Sequence, residues 1–229
     1  MIEARGAALL YHDHGREVYA CRDIGLRVSE GEFLGILGPS GSGKSSLLYM
    51  LSGLKTPTSG QVLVDGIDLA SLGDEARSRL RLERFGFVFQ HPHLLGYLTA
   101  LENVVLGASG SGDRLVEAEN RLSRLGLGDK MHRLPHELSG GERQRVCVAR
   151  ALMGSPEAIF ADEPTAALDH ANGHAVVDML RQERGGGALV MVTHDPSMLD
   201  GADRIVTLVD GCLGEAAVAA RPGIEPGTC

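Results

Sequence analysis

From Phe33 to Leu37 the chain reads FLGIL, apolar or glycine at every position, and the run stops at Gly38. So short a run, bounded by glycine, predicts a strand buried on both faces. Ala158 to Ala161 (AIFA) and Ala188 to Thr193 (ALVMVT) repeat the pattern, the first ending in acidic residues and the second in His194. Gly86 to Phe89 adds another candidate. Between such runs the spacing changes to that of a helix: Lys44 to Leu54 carries Leu47, Leu48 and Leu51 on one side. This alternation predicts an α/β fold with a mainly parallel sheet, whose chemistry collects beyond the carboxyl ends of the strands.

The N-terminal part differs. Ala7 to Tyr11, Gly25 to Val28 and Gln61 to Val64 read as strands, the first two joined without a helix, which predicts a small antiparallel layer on the core. Asp113 to Leu127 is the clearest amphipathic helix, with Leu115, Ala118, Leu122 and Leu125 on one stripe and Glu117 facing Arg121. GASGSGD, Gly107 to Asp113, reads as a flexible linker into it. The helical middle of the chain reads as a subdomain inserted between two phosphate-facing parts. Asp210-Gly211 signals a hairpin turn, and the tail RPGIEPGTC has nothing to bury.

Composition narrows the classes. At 229 residues, 43% apolar and 23% charged, the chain can bury a real core as one α/β domain or two small ones. A net charge of −8 and a pI near 5.6 argue against an extended nucleic-acid surface. Cys21, Cys147, Cys212 and Cys229 show no metal-ligand spacing, which predicts reduced thiols. No basic segment followed by an apolar run opens the chain. The longest uncharged stretch, Phe85 to Leu101, contains Gln90, His91, Pro92 and His93, a poor fit to hydrocarbon. A chain soluble by itself is expected.

The chemistry begins where the first strand ends. GPSGSGKS, Gly38 to Ser45, matches G-x-x-x-x-G-K-[ST] between a strand and a helix, the context a phosphate loop requires. Gly41 and Gly43 let backbone curl around phosphate oxygens, Lys44 neutralises the β and γ phosphates, and the Ser45 hydroxyl ligates Mg²⁺. AIFADEP delivers Asp162 to a strand end, where a carboxylate can hold Mg²⁺ through water; Glu163 beside it is a candidate general base. His194 is placed to bond the γ phosphate or the attacking water. The amide of Gln90 can sense Mg²⁺ or water, or simply close a turn. LSGGERQRV, Leu138 to Val146, puts a serine and two glycines before a second helix, another anion-facing arrangement. Only one lysine-bearing loop and one carboxylate strand exist, so the second loop most economically completes a nucleotide held by another copy or a related subunit.

The ordered set GPSGSGKS, Gln90, LSGGERQR, AIFADEP, Ala167-Leu168-Asp169 and His194 resembles the nucleotide-binding subunit of an ATP-binding cassette (ABC) transporter. The resemblance implies a RecA-like P-loop core, an antiparallel β layer and a helical subdomain. In those terms the ATPase domain spans residues 1–220, with the helical part inserted over about 70–155 and a loose tail over 221–229. It further implies two copies, head to tail, each ATP lying between one P-loop and the other's Ser139, Gly140 and Gly141. The cradle would comprise Gly38, Pro39, Ser40, Gly41, Ser42, Gly43, Lys44, Ser45 and Ser46, the last standing where threonine is more frequent. Mg²⁺ would meet Ser45, Gln90 and Asp162. Tyr11 takes the place of the aromatic on adenine, with Tyr19 as competitor; stacking needs an exposed face. Asp169 would cross the dimer interface, and Ala166 replaces the small polar residue or glycine often seen before Ala-Leu-Asp. Gln90 and HPHLLGYLTALENV would meet integral membrane subunits at the cytoplasmic face; Leu94, Leu95, Tyr97 and Leu98 could equally be core.

SEGEFLGILGPSGSGKS, GFVFQHPHLLGYLTALENV and the compact length are similar to the subgroup serving lipoprotein release and macrolide export. The alternative is a binding-protein-dependent importer, which shares every motif. A soluble ABC ATPase acting on DNA or ribosomes fits less well, since the chain has no heptad insertion or cysteine cluster.

Overall fold

The computed structural model describes residues 1–13, 16–108 and 113–214. Most of the expected linker and the tail from 221 on lie outside these residues. In order, the chain runs β1 (Ile2–Asp13), β2 (Arg16–Val28), β3 (Phe33–Leu37), α1 (Lys44–Leu51), β4 (Ser59–Val64), β5 (Ile67–Asp68), α2 (Asp74–Arg84) and β6 (Phe85–Val88). It continues through α3 (Ala100–Val105), α4 (Arg114–Arg124), α5 (Gly140–Ala151), β7 (Ala158–Asp162), α6 (His170–Glu183), β8 (Ala188–Thr193), β9 (Arg204–Val209) and β10 (Cys212–Leu213).

Two sheets form. A four-stranded antiparallel sheet has the order β2-β1-β4-β5, and a six-stranded sheet the order β10-β9-β3-β8-β7-β6. All strands of the second sheet run parallel except β10, which returns from β9 through Asp210 and Gly211, both at positive φ. That is the hairpin the Asp-Gly pair predicts. The first strand starts five residues before the apolar run at Ala7.

The parallel strands read as continuous apolar runs because each face meets a different partner. Leu34 and Ile36 of β3, Phe160 of β7 and Val190 and Val192 of β8 pack with Ile24, Leu47, Leu48 and Leu51, between the two sheets and α1. Their sequence neighbours Phe33, Ile159, Ala161, Leu189 and Met191 point the other way, into a cluster with Val104, Leu122, Val146, Val176 and Leu180 from α3, α4, α5 and α6. A one-residue alternation thus divides one sheet between two cores.

One expectation needs correcting in α4. Ala118, Leu122 and Leu125 are buried and Glu117 pairs with Arg121 at 3.6 Å, but Leu115 is 51% exposed. Asp113 caps the helix, its carboxylate accepting from Val116 N–H, so Leu115 sits in the first turn, ahead of the buried stripe. No helix among the described residues is long and apolar enough to cross a membrane.

α5 docks on β6 through missing side chains. A Cβ on Gly86 would stand 2.1 Å from the Ala151 carbonyl oxygen. Gly86→Ala should therefore destabilise the fold by about 2–3 kcal/mol, as an overpacked core position does. The midpoint of urea unfolding would register this; an unchanged midpoint would mean that α5 shifts freely on β6.

Candidate active site

Parallel register sets the site. Leu37 stands level with Thr193, and Asp162 with Val192, so β3, β7 and β8 end together. Gly38, Glu163 and His194 therefore leave the sheet at one edge, where peptide dipoles and helix N-termini converge.

The loop 38–43 is shaped by close approach. A Cβ on Gly38 would lie 2.3 Å from the Leu208 carbonyl, and one on Gly43 2.0 Å from that of Ala20. Gly43 (φ 99°) also starts α1 as a residue without a side chain to cap it. Its neighbours are polar for another purpose. Lys44, only 6% exposed, donates through Nζ to the carbonyls of Gly38 (2.8 Å) and Pro39 (2.9 Å) and lies 3.6 Å from Glu163 Oε1. Ser42 N–H bonds the Pro39 carbonyl, and the Ser42 carbonyl receives Gly211 N–H, fixing the loop to the β9–β10 turn. Ser42 Oγ is buried and has no hydrogen-bond partner among the described residues, whereas Ser40 and Gly41 are exposed, the latter with open space above it. A buried hydroxyl without a partner is costly unless a ligand supplies one. A phosphate oxygen fits that need.

Ser45 Oγ donates to Asp162 Oδ1 (2.8 Å) and Tyr49 OH to Asp162 Oδ2 (2.7 Å), so one buried carboxylate is held from both sides by α1. Burial, reinforced by Asp162, raises the Tyr49 phenol well above its ordinary range, so it remains a donor. Tyr49 carries no motif, but its spacing is legible: it lies one turn beyond Ser45 on the same helix. Beside this pair, His194 Nδ1 lies 2.6 Å from Glu163 Oε2 and donates to the carboxylate, leaving Nε2 outside that contact. Glu163 thus stands between a lysine and a histidine, in left-handed backbone (φ 46°) fixed by its N–H to the Val192 carbonyl.

The remaining predicted residues fall into two groups. Tyr11 and Gln90 border the site. Tyr11 is half-buried with its hydroxyl 3.4 Å from Ser46 Oγ, while Tyr19 is 41% exposed under the Arg22 guanidinium. Exposure alone favours Tyr19; nearness to α1 favours Tyr11. Gln90 is exposed two residues past β6, and among the described residues its side chain makes no hydrogen bond. Ser139, Gly140, Gly141 and Asp169 form the second group, joined to the P-loop by no hydrogen bond or ion pair among the described residues.

That second group is built as two helix starts. Ser139 caps α5, its Oγ accepting from Glu142 N–H while Glu142 accepts from Ser139 N–H, which leaves the first-turn N–H groups of Gly140 and Gly141 without helical acceptors. Asp169 caps α6, accepting from Asn172 N–H (3.0 Å) and Nδ2 (2.6 Å). A Cβ on Gly141 would stand 3.8 Å from Asn172 Oδ1, so the first turns of α5 and α6 are neighbours.

Three residues of α5, given no such role by the sequence, hold β6 and the segment after it. Gln144, 3% exposed, donates to the Phe89 carbonyl, Cys147 Sγ approaches the Phe87 carbonyl, and Arg150 donates to the carbonyls of Pro92 and His93. Their three-residue spacing, a polar or thiol stripe on one helical face, is the signal that would have found them. Asn103, fully buried, similarly binds Leu95, Leu98 and Thr99 and shapes the segment that exposes Leu95 and Tyr97.

Residues 21–166 match the ABC transporter family. The chain belongs to that family. It is 41% identical over 230 residues to the lipoprotein-releasing system ATP-binding protein LolD of Shewanella frigidimarina, covering 98% of this chain and 96% of that one. It is 43% identical over 216 residues to the macrolide export ATP-binding/permease protein MacB of Neisseria meningitidis, covering 92% of this chain but only 34% of that longer protein. The dimeric ATP-binding cassette MJ0796 in a post-hydrolysis state with ADP and Pi superposes with a TM-score of 0.89 at 36% identity, over 96% of this chain and all of that one. The P-loop core with its antiparallel layer is therefore an ABC ATPase cassette.

The cap of α5 carries a pH signature. The ammonium of Lys130 and then Ser139 N–H hold the Glu142 carboxyl down to about 2. A depressed carboxylate stabilises the fold fully above its unfolded pKa and progressively less as pH falls toward the folded value. The gap in unfolding free energy between wild type and Glu142→Gln should be constant near neutrality and narrow below about pH 4.5. Urea titrations from neutrality to about pH 3 check this; a gap independent of pH would contradict the charged pairing.

Proposed function

We propose that this chain is the ATP-hydrolysing motor subunit of an ABC system that exports or extracts a substrate through an integral membrane partner. Residues 38–46 hold the triphosphate, with Ser42 Oγ and Lys44 Nζ turned to its oxygens. The all-oxygen pair of Ser45 and Asp162 suits Mg²⁺, which when bound neutralises phosphate charge and polarises the reacting group. Glu163 accepts the proton of the attacking water, and His194 Nδ1–H orients that carboxylate; Nε2 is left for the γ phosphate or the water. Lys44 and His194 counter the charge that develops as the β–γ bridging bond breaks. Gln90 borders the metal and water, Tyr11 takes the adenine, and Ser139, Gly140 and Gly141 close the nucleotide of a second copy, toward which Asp169 projects.

The observation that carries this reading is Glu163 held between Lys44 and His194 beside the Ser45–Asp162 pair. Support for the subgroup comes from LolD and MacB, and exposed Leu95 and Tyr97, at 39% and 77%, offer apolar surface to a membrane subunit. The location implied is the cytoplasmic face of the membrane, held there by the partner. One ATPase domain over 1–220 is supported by β6 and β7 pairing in one sheet with β3 and β8, although the helical part proposed over about 70–155 has β6 of that sheet within its bounds.

Glu163→Gln should slow hydrolysis by about 10²-fold or more while retaining ATP binding, as loss of a general base requires; near-normal turnover would refute the assignment. Lys44→Ala should lose tight ATP binding in equilibrium titrations, and unchanged affinity would remove the lysine from the phosphate site. Tagged Glu163→Gln protein recovered from solubilised membranes with ATP and Mg²⁺ identifies the partner. A subunit with few spans and a large external domain supports export or extraction, and a many-spanning permease supports import.

A further inference from the structure

Two imidazoles outside the nucleotide site face each other at the head of α6. His170 opens the helix and His174 follows one turn later, a spacing that puts both on one face. Their Nε2 atoms are 3.1 Å apart, with ring centroids 4.4 Å apart and planes 83° apart. Two neutral rings can share one proton across that gap, but each also has a lone pair to offer a metal. With metal–nitrogen bonds of about 2.0–2.1 Å, nitrogens at this separation subtend roughly 100° at a single ion, between the square-planar and tetrahedral angles.

The surroundings favour a cation. Asp169 caps the same helix, and the Asp195 carboxylate, held low chiefly by hydrogen bonds from Ser197, also feels His170 and His194. These carboxylates offset the positive end of the helix dipole. His170 is exposed and His174 half-buried, and among the described residues no third histidine, cysteine or carboxylate completes a metal cluster. Solvent would fill the remaining coordination positions.

We propose that His170 and His174 form a two-histidine chelate for a borderline divalent transition-metal ion of the Zn²⁺, Ni²⁺ and Cu²⁺ class, at the root of the segment that carries Asp169. Mg²⁺ prefers oxygen ligands and does not compete for it.

The test is calorimetric titration of Zn²⁺ into the untagged full chain, with excess Mg²⁺ to occupy oxygen sites. The wild type should bind one Zn²⁺ per chain in the micromolar range and gain thermal stability. His170→Ala and His174→Ala should each weaken that binding by about 10-fold or more and lose the thermal gain. Both should keep the metal-free melting temperature and ATP binding of the wild type, and His132→Ala, an exposed histidine elsewhere, should bind Zn²⁺ normally. Absence of micromolar binding in the wild type, or binding that survives both single substitutions, overturns the proposal and leaves the pair a hydrogen bond only.

Discussion

The loop 38–43 lies closer to the strands beneath it than any side chain would permit, and the active site is organised around that contact. Gly38 rests on the Leu208 carbonyl of β9 and Gly43 on the Ala20 carbonyl of β2, one strand from each sheet. Both sheets thus form the floor of the phosphate cradle. Beneath Gly43 lies Cys21, fully buried, its thiol pushed up to about 12 by burial and so inert as a nucleophile. With the loop pinned from below, Lys44 and Ser45 start α1 in fixed positions, and Asp162 is met by Ser45 and Tyr49 without adjustment. Preorganisation of this kind makes electrostatic stabilisation effective, because little reorganisation remains for the reacting state.

The other half of the machinery is mechanical. α5 begins at the Ser139 cap, presses its end carbonyls onto Gly86 and Gly107, and holds the Phe89–His93 segment through Gln144 and Arg150. One helix therefore links Gly140 and Gly141, proposed above to close a second copy's nucleotide, to the segment bearing Gln90. The start of α6 neighbours that helix, with Asn172 beside Gly141. Ser139 and the Phe89–His93 segment are thus tied to the same helix, α5, through the buried Gln144 and the half-buried Arg150.

Much of this was legible in the sequence because the motifs are backbone rules. Apolar runs ending in Gly38, Asp162 and Thr193 placed β3, β7 and β8 within a residue of their ends, and the glycine spacing of the P-loop follows from phosphate geometry. What escaped depends on tertiary packing. Tyr49, Asn103 and Gln144 are ordinary residues until a helix rotates them toward a carboxylate or a carbonyl. Leu115 misled because periodicity reports a helical face, not where the core beneath that face begins. The choice between Tyr11 and Tyr19 is not made by strand alternation either: exposure points to Tyr19 and proximity to α1 to Tyr11.

Glu163 sits in backbone that glycine adopts freely and that costs an ordinary residue about 1–2 kcal/mol. Its carboxylate is therefore kept against the preference of its own main chain. Given the role proposed for Glu163, selection for a more durable protein and selection for a working one pull in opposite directions at this residue, and the cores on either side of the parallel sheet must supply the difference. A screen that rewards heat resistance alone would be drawn to substitutions here, and its winners would be better-folded proteins without the proposed base.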